Sequence, residues 1–74
     1  MKKAIFRDSG WKAEVIILED KSNEEEEKYV LAVVKTIRPS PYFGARPDGD
    51  VFTVSAVRKY RFYSDWSLSD ITEL

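Results

Sequence analysis

Serine, carboxylate, lysine, arginine and tyrosine are the side chains available for chemistry here, because the 74 residues include neither Cys nor His. That excludes disulfides, thiolate or imidazole zinc sites, and any Cys or His role in catalysis. Serines are plentiful, but with no His as base and no Lys at a productive spacing, none reads as a nucleophile. Gly44 and Gly49 are separated by Pro47 and lack a following Lys-Ser or Lys-Thr, so no phosphate-cradling loop is present. Asp48 and Asp50 flank Gly49, a pattern of ordinary turn chemistry before it is one of acid–base work or cation binding. The expectation is a non-enzymatic chain with no cofactor and no metal.

Two groupings remain that could bind a partner. Pro39-Ser40-Pro41-Tyr42-Phe43 joins rigid prolines to adjacent rings, and rings give large contact area at low entropy cost. Pro41, Tyr42 and Phe43 are therefore the expected contacts for a protein partner or a second copy of the chain. The competing reading folds Tyr42 and Phe43 back over the core, since a small cysteine-free domain needs every ring it can bury. Trp11 and Trp66 carry the same ambiguity, with core packing favoured.

The second grouping, Arg58-Lys59-Tyr60-Arg61-Phe62-Tyr63, has the mixed basic and aromatic composition of a single-strand nucleic-acid surface. On an extended strand Tyr60 and Phe62 would face the core, leaving Lys59, Arg61 and Tyr63 outward as a small stacking platform. The whole chain balances 12 Lys and Arg against 13 Asp and Glu, which argues against a dedicated duplex-DNA binder. Nucleic acid is the alternative partner.

The elements that must position these residues are mainly strands. One domain over residues 1–74 is expected, and a chain of this size buries only about 60% of its unfolded surface. Lys3 to Arg7 reads as a short strand, closed by the turn formers Asp8-Ser9-Gly10. From Trp11 to Leu18, Trp11, Ala13, Val15 and Ile17 share one face; Ile16 and Leu18 then make the second half apolar on both sides. Glu19 to Lys28 is a solvated hairpin loop, because adjacent carboxylates repel and burying them is costly. Tyr29 to Ile37 is apolar at both parities, which predicts a central strand with both faces partly covered.

Arg38 to Asp50 holds all three prolines, and Pro47-Asp48-Gly49 fits a type I turn with Pro47 first of the central pair. Val51 to Tyr63 contains no turn former and reads as one long amphipathic strand, its even positions inward apart from Arg58. Ser67 and Asp70 resemble a capping pair, predicting a short helical turn that lays Trp66, Leu68 and Ile71 over the sheet.

The fold class expected is mainly β, a small curled antiparallel meander of four or five strands with a short C-terminal helical turn. Short strands, a long proline-bearing loop and that closing turn are compatible in pattern with a partly open SH3-like barrel. Charge returns at Arg7 after three apolar residues, too soon for a leader core, and no run could span a bilayer. A cytoplasmic setting without membrane contact is therefore expected, with a role as a small binding module.

Overall fold

The computed structural model describes residues Met1–Leu74. Five strands, β1 (Lys2–Asp8), β2 (Trp11–Asp20), β3 (Glu26–Arg38), β4 (Val51–Val57) and β5 (Trp66–Glu73), form one antiparallel sheet, and a 3-10 turn (Arg58–Tyr63) joins β4 to β5. The first hairpin sets the register. Ser9 and Gly10 both take positive φ, 49° and 88°, which matches the right-handed strand twist as in a type I′ turn. Asp8 then pairs with Trp11, so Phe6 faces Ala13 and Ala4 faces Val15. These positions, with Trp11 and Ile17, are buried.

Strands β1 to β4 follow one another as a meander, whereas β5 returns to the free edge of β1, giving the order β4-β3-β2-β1-β5. The middle strand is thus β2 rather than the Tyr29–Ile37 segment, which lies one place off centre. The sheet is open, but it curls until its two edges meet at one point. There the Trp66 indole N–H on β5 donates to the Ser55 carbonyl on β4 at 3.1 Å.

Eleven apolar residues line the inside of the curl. Phe6 sits at their centre, its ring 5.6 Å from Trp11, 5.3 Å from Phe52 and 6.1 Å from Trp66. Both tryptophans are core residues, as favoured from sequence. Burying rings of this size supplies most of the driving force a domain without cross-links can call on.

Register irregularities explain why apolar residues of both parities do not imply two covered faces. Between Glu14 and Val15 the β3 partner jumps from Lys35 to Val33, passing over Val34. Between Lys12 and Ala13 it jumps from Arg38 to Thr36, passing over Ile37, and β2 passes over Leu18 in the same way. An extra residue re-aims the side chains that follow it. Leu18, Val34 and Ile37 are accordingly exposed, while Leu31 and Val33 are buried. The interior end expected for β2 is corrected by the same fact.

The long strand over Val51–Tyr63 does not form. Alternation holds through Phe52, Val54 and Ala56, then β4 stops at Val57. The Arg58 N–H bonds to the Glu25 carbonyl at 2.9 Å and its Nε to the Asn23 carbonyl at 2.8 Å, tying the chain to the acidic hairpin. From there it must cross from β4 to the edge of β1, and a tight helical turn makes the crossing. Phe62, expected inside, is 92% exposed, and Tyr60 is exposed as well.

The helical turn near the C-terminus thus occupies Arg58–Tyr63, and the residues expected to be helical, Ser67 to Ile71, extend β5 along β1. Asp70 at φ 53° and Ile71 oppose Ala4 alone, a bulge that leaves Ile71 exposed. The turn before β4 also differs from expectation. Asp50 N–H bonds to the Pro47 carbonyl at 3.1 Å and Gly49 has φ 84°. Asp48 and Gly49 are therefore the central pair, and positive φ at the second of them makes the turn type II.

At the acidic hairpin, Ser22 holds the Asp20 carboxyl below its usual range, through its hydroxyl and then its backbone N–H, the latter at 2.9 Å. A carboxyl depressed in the folded state contributes stability above its unfolded pKa and loses it as pH falls through the folded value. Asp20→Ala should therefore lower stability at neutral pH and flatten the acid limb of a stability–pH curve. Equal slopes for both proteins in urea melts below the ordinary carboxylate range would refute that reading. No helix is long and apolar enough to cross a membrane.

Candidate functional site

The proline loop is built around a buried serine. Ser40 lies just beyond the end of β3, where its hydroxyl donates to the Ser9 carbonyl at 2.7 Å. The same oxygen accepts the Tyr42 N–H at 3.1 Å and the Phe43 N–H at 3.4 Å. Ser40 and Gly44 also exchange both backbone hydrogen bonds, closing a tight loop with Gly44 at φ 83°. Pro41 packs against the first hairpin so closely that a Cβ on Gly10 would stand 2.9 Å from its Cδ. The loop is thereby pinned to the β1–β2 turn, 31 residues earlier in the chain.

The two rings separate in role. Phe43 meets Trp11 edge-on at 5.9 Å and is 49% exposed, so it both caps the core and keeps one side in solvent. Trp11 in turn donates its indole N–H to the Thr36 hydroxyl at 3.0 Å, which fixes the surface Phe43 rests on. Tyr42 is 84% exposed, with Pro41 also exposed beside it. The sequence left folding back and facing outward in balance. Phe43 does some of each, and Tyr42 faces outward.

Near the base of the loop Arg46 lies over the Phe52 ring at 4.4 Å and pairs with Asp50 at 3.0 Å. Asp50 is thereby engaged structurally, and no three carboxylates gather anywhere as a metal site would require.

Lys59, Arg61 and Tyr63 lie on the 3-10 turn rather than on a strand, so they do not share one outward face. Arg61 is committed: its Nε bonds Glu27 at 2.6 Å and its guanidinium covers the Trp66 ring at 4.2 Å. Lys59 sits 5.7 Å from the Tyr60 ring, and Tyr63 is exposed, edge-on to Phe62 at 5.6 Å. The exposed rings Tyr60 and Phe62 were missed as surface residues by parity. Arg58, the one charge on the apolar parity, was the available signal that the strand had ended.

The fold and the loop together define a small curled all-β domain that presents aromatic side chains from a pinned surface loop. No protein-family model matches the chain, and neither does any curated protein or solved structure.

Proposed function

We propose that the domain is a non-enzymatic binding module that engages a protein partner through Tyr42, with Pro41 and Phe43 at its side. The observation that carries this reading is Ser40. A buried hydroxyl making three hydrogen bonds holds a loop whose most prominent ring touches little of its own domain. An exposed ring on a backbone held in place contributes little to folding, yet on binding it buries a large area for few rotatable bonds. A cytoplasmic setting belongs to the same proposal, and fractionation of cells carrying the tagged chain tests it.

Tyr42→Ala should leave the urea midpoint within about 0.5 kcal/mol of wild type, as for surface substitutions generally. It should also reduce partner capture at least about tenfold, the usual scale for a central interface ring. A variant that unfolds cooperatively at wild-type denaturant and still captures its partner at full affinity would rule out Tyr42 as the contact.

Self-association and single-strand binding have less support. On β4 the outward edge near Ser55 is covered by Trp66, which leaves a short free edge for pairing with a copy. For nucleic acid, the engagement of Arg61 with Glu27 takes one of the three proposed contacts out of play.

A further inference from the structure

The outer face of the sheet carries a row of cations that forms no ion pair. Arg7 on β1 stands in register with Lys12 on β2, and Lys12 with Arg38 on β3. Directly opposed residues share a face, and alternation makes it the outer one because Phe6, Trp11 and Ala13 are buried. The adjoining row adds Lys35, opposite Glu14. Glu14 is drawn instead to Lys3 at 3.9 Å, and Arg7, Lys12, Lys35 and Arg38 form no ion pair. Arg7 reaches only the Ser69 hydroxyl, at 2.8 Å, and Arg38 only the Gly10 carbonyl, at 3.4 Å.

Like charges opposed across strands about 4.8 Å apart destabilise a sheet. Acids are abundant in this chain, whose net charge is −1, yet only Glu14 lies near the row, and it pairs with Lys3 instead. We propose that the Arg7–Lys12–Arg38 row is the docking site for an acidic, extended segment of a protein partner. The site is continuous with the Tyr42 loop. Arg38 directly precedes Pro39, and Gly10, which accepts the Arg38 bond, is the residue Pro41 packs on.

The inference rests on the reading of Tyr42 as a partner contact and adds the partner's chemistry. Protein is favoured over nucleic acid by what lies between the cations. The neighbouring outer residues Ile5, Ile16 and Ala32 are aliphatic, and no strand ring turns outward among them. Bases need π faces to stack on, whereas a segment alternating carboxylates with apolar side chains matches both the charges and the aliphatic rows.

The test titrates the intact domain with a short fluorescent peptide rich in Glu and Leu, at roughly 0.05 M and 0.3 M salt, beside an oligouridylate of equal charge. Wild type should bind the peptide, more weakly at the higher salt, and prefer it to the oligonucleotide. The triple variant R7Q/K12Q/R38Q should weaken peptide binding at least about tenfold, the sum of three modest charge contacts. Its circular dichroism and urea midpoint should match or exceed wild type, because opposed like charges are removed.

No peptide binding at low salt, an unchanged affinity in the triple variant, or tighter binding of the oligonucleotide would each overturn the proposal. Tyr42→Ala, run in parallel, separates the two readings. Loss with Tyr42→Ala but not with the triple variant keeps the ring site and removes the basic row. Loss with the triple variant alone keeps the row and removes Tyr42 as a contact.

Discussion

Phe6→Ala should cost about 3–5 kcal/mol, the range for emptying a buried aromatic site. Phe6 is 1% exposed and touches Trp11, Phe52 and Trp66, so its loss opens a cavity bounded by three rings on three strands. Surrounding strands cannot close that space without breaking the Trp66–Ser55 contact that holds the curl together. Domains of this length have total stabilities of roughly 4–11 kcal/mol at typical values per residue. The variant should therefore lose a large share of the domain's stability and unfold at much lower urea. Tryptophan fluorescence in urea reads this directly, since both indoles border the emptied site. A midpoint shift no larger than that of Tyr42→Ala would mean the core lies elsewhere.

Gly10→Ala should cost about 2 kcal/mol and disturb the proline loop at the same time. One part of the cost is local: φ of 88° suits glycine, and an L side chain there loses about 1–2 kcal/mol. The other part is tertiary, because the new methyl would stand 2.9 Å from Pro41 Cδ. Either the hairpin or the proline loop must shift. Gly49→Ala supplies the control, having a similar φ of 84° but nothing near its Cβ. Gly10→Ala should destabilise more than Gly49→Ala in the same urea series, and it should weaken partner capture where Gly49→Ala does not. Equal costs at the two positions would show that the Pro41 contact yields without effect.

Both predictions trace to contacts that no short window of sequence contains. The β1–β2 hairpin was legible because its information is local: turn formers at Asp8-Ser9-Gly10, then strict alternation from Trp11 to Ile17. The mainly β class was legible for the same reason, whereas the curl, expected from an unbroken Val51–Tyr63 strand that does not form, is closed instead by Trp66 on Ser55. Parity, however, counts positions and does not see register. Where β3 skips Val34 and Ile37, the inward phase moves, and an apolar residue of the other parity reaches solvent. Beyond Val57 the alternating pattern continues on paper, but hydrogen bonds from Arg58 to the acidic hairpin end the strand. That is why Tyr60 and Phe62 were placed inside and stand outside.

The candidate site divides along the same line. Composition marked Pro41, Tyr42 and Phe43 as an aromatic loop, and could go no further, since a ring is suited equally to a core and to an interface. Tertiary contacts fixed where the rings lie: Ser40 nests the loop on Ser9 with Tyr42 exposed, while Trp11 gives Phe43 its resting place. Arg7 and Lys12 flank the legible first turn, but Arg38 joins them only through the pairing of β3 with β2, so the row as a whole was invisible in sequence. Local patterning by itself determined that this chain makes strands, where its first turn falls and which apolar set is buried there. Register and crossing, set by hydrogen bonds between distant residues, decided which rings and charges reach the surface. Side-chain direction in a sheet depends on pairing, and pairing exists only once the strands have met.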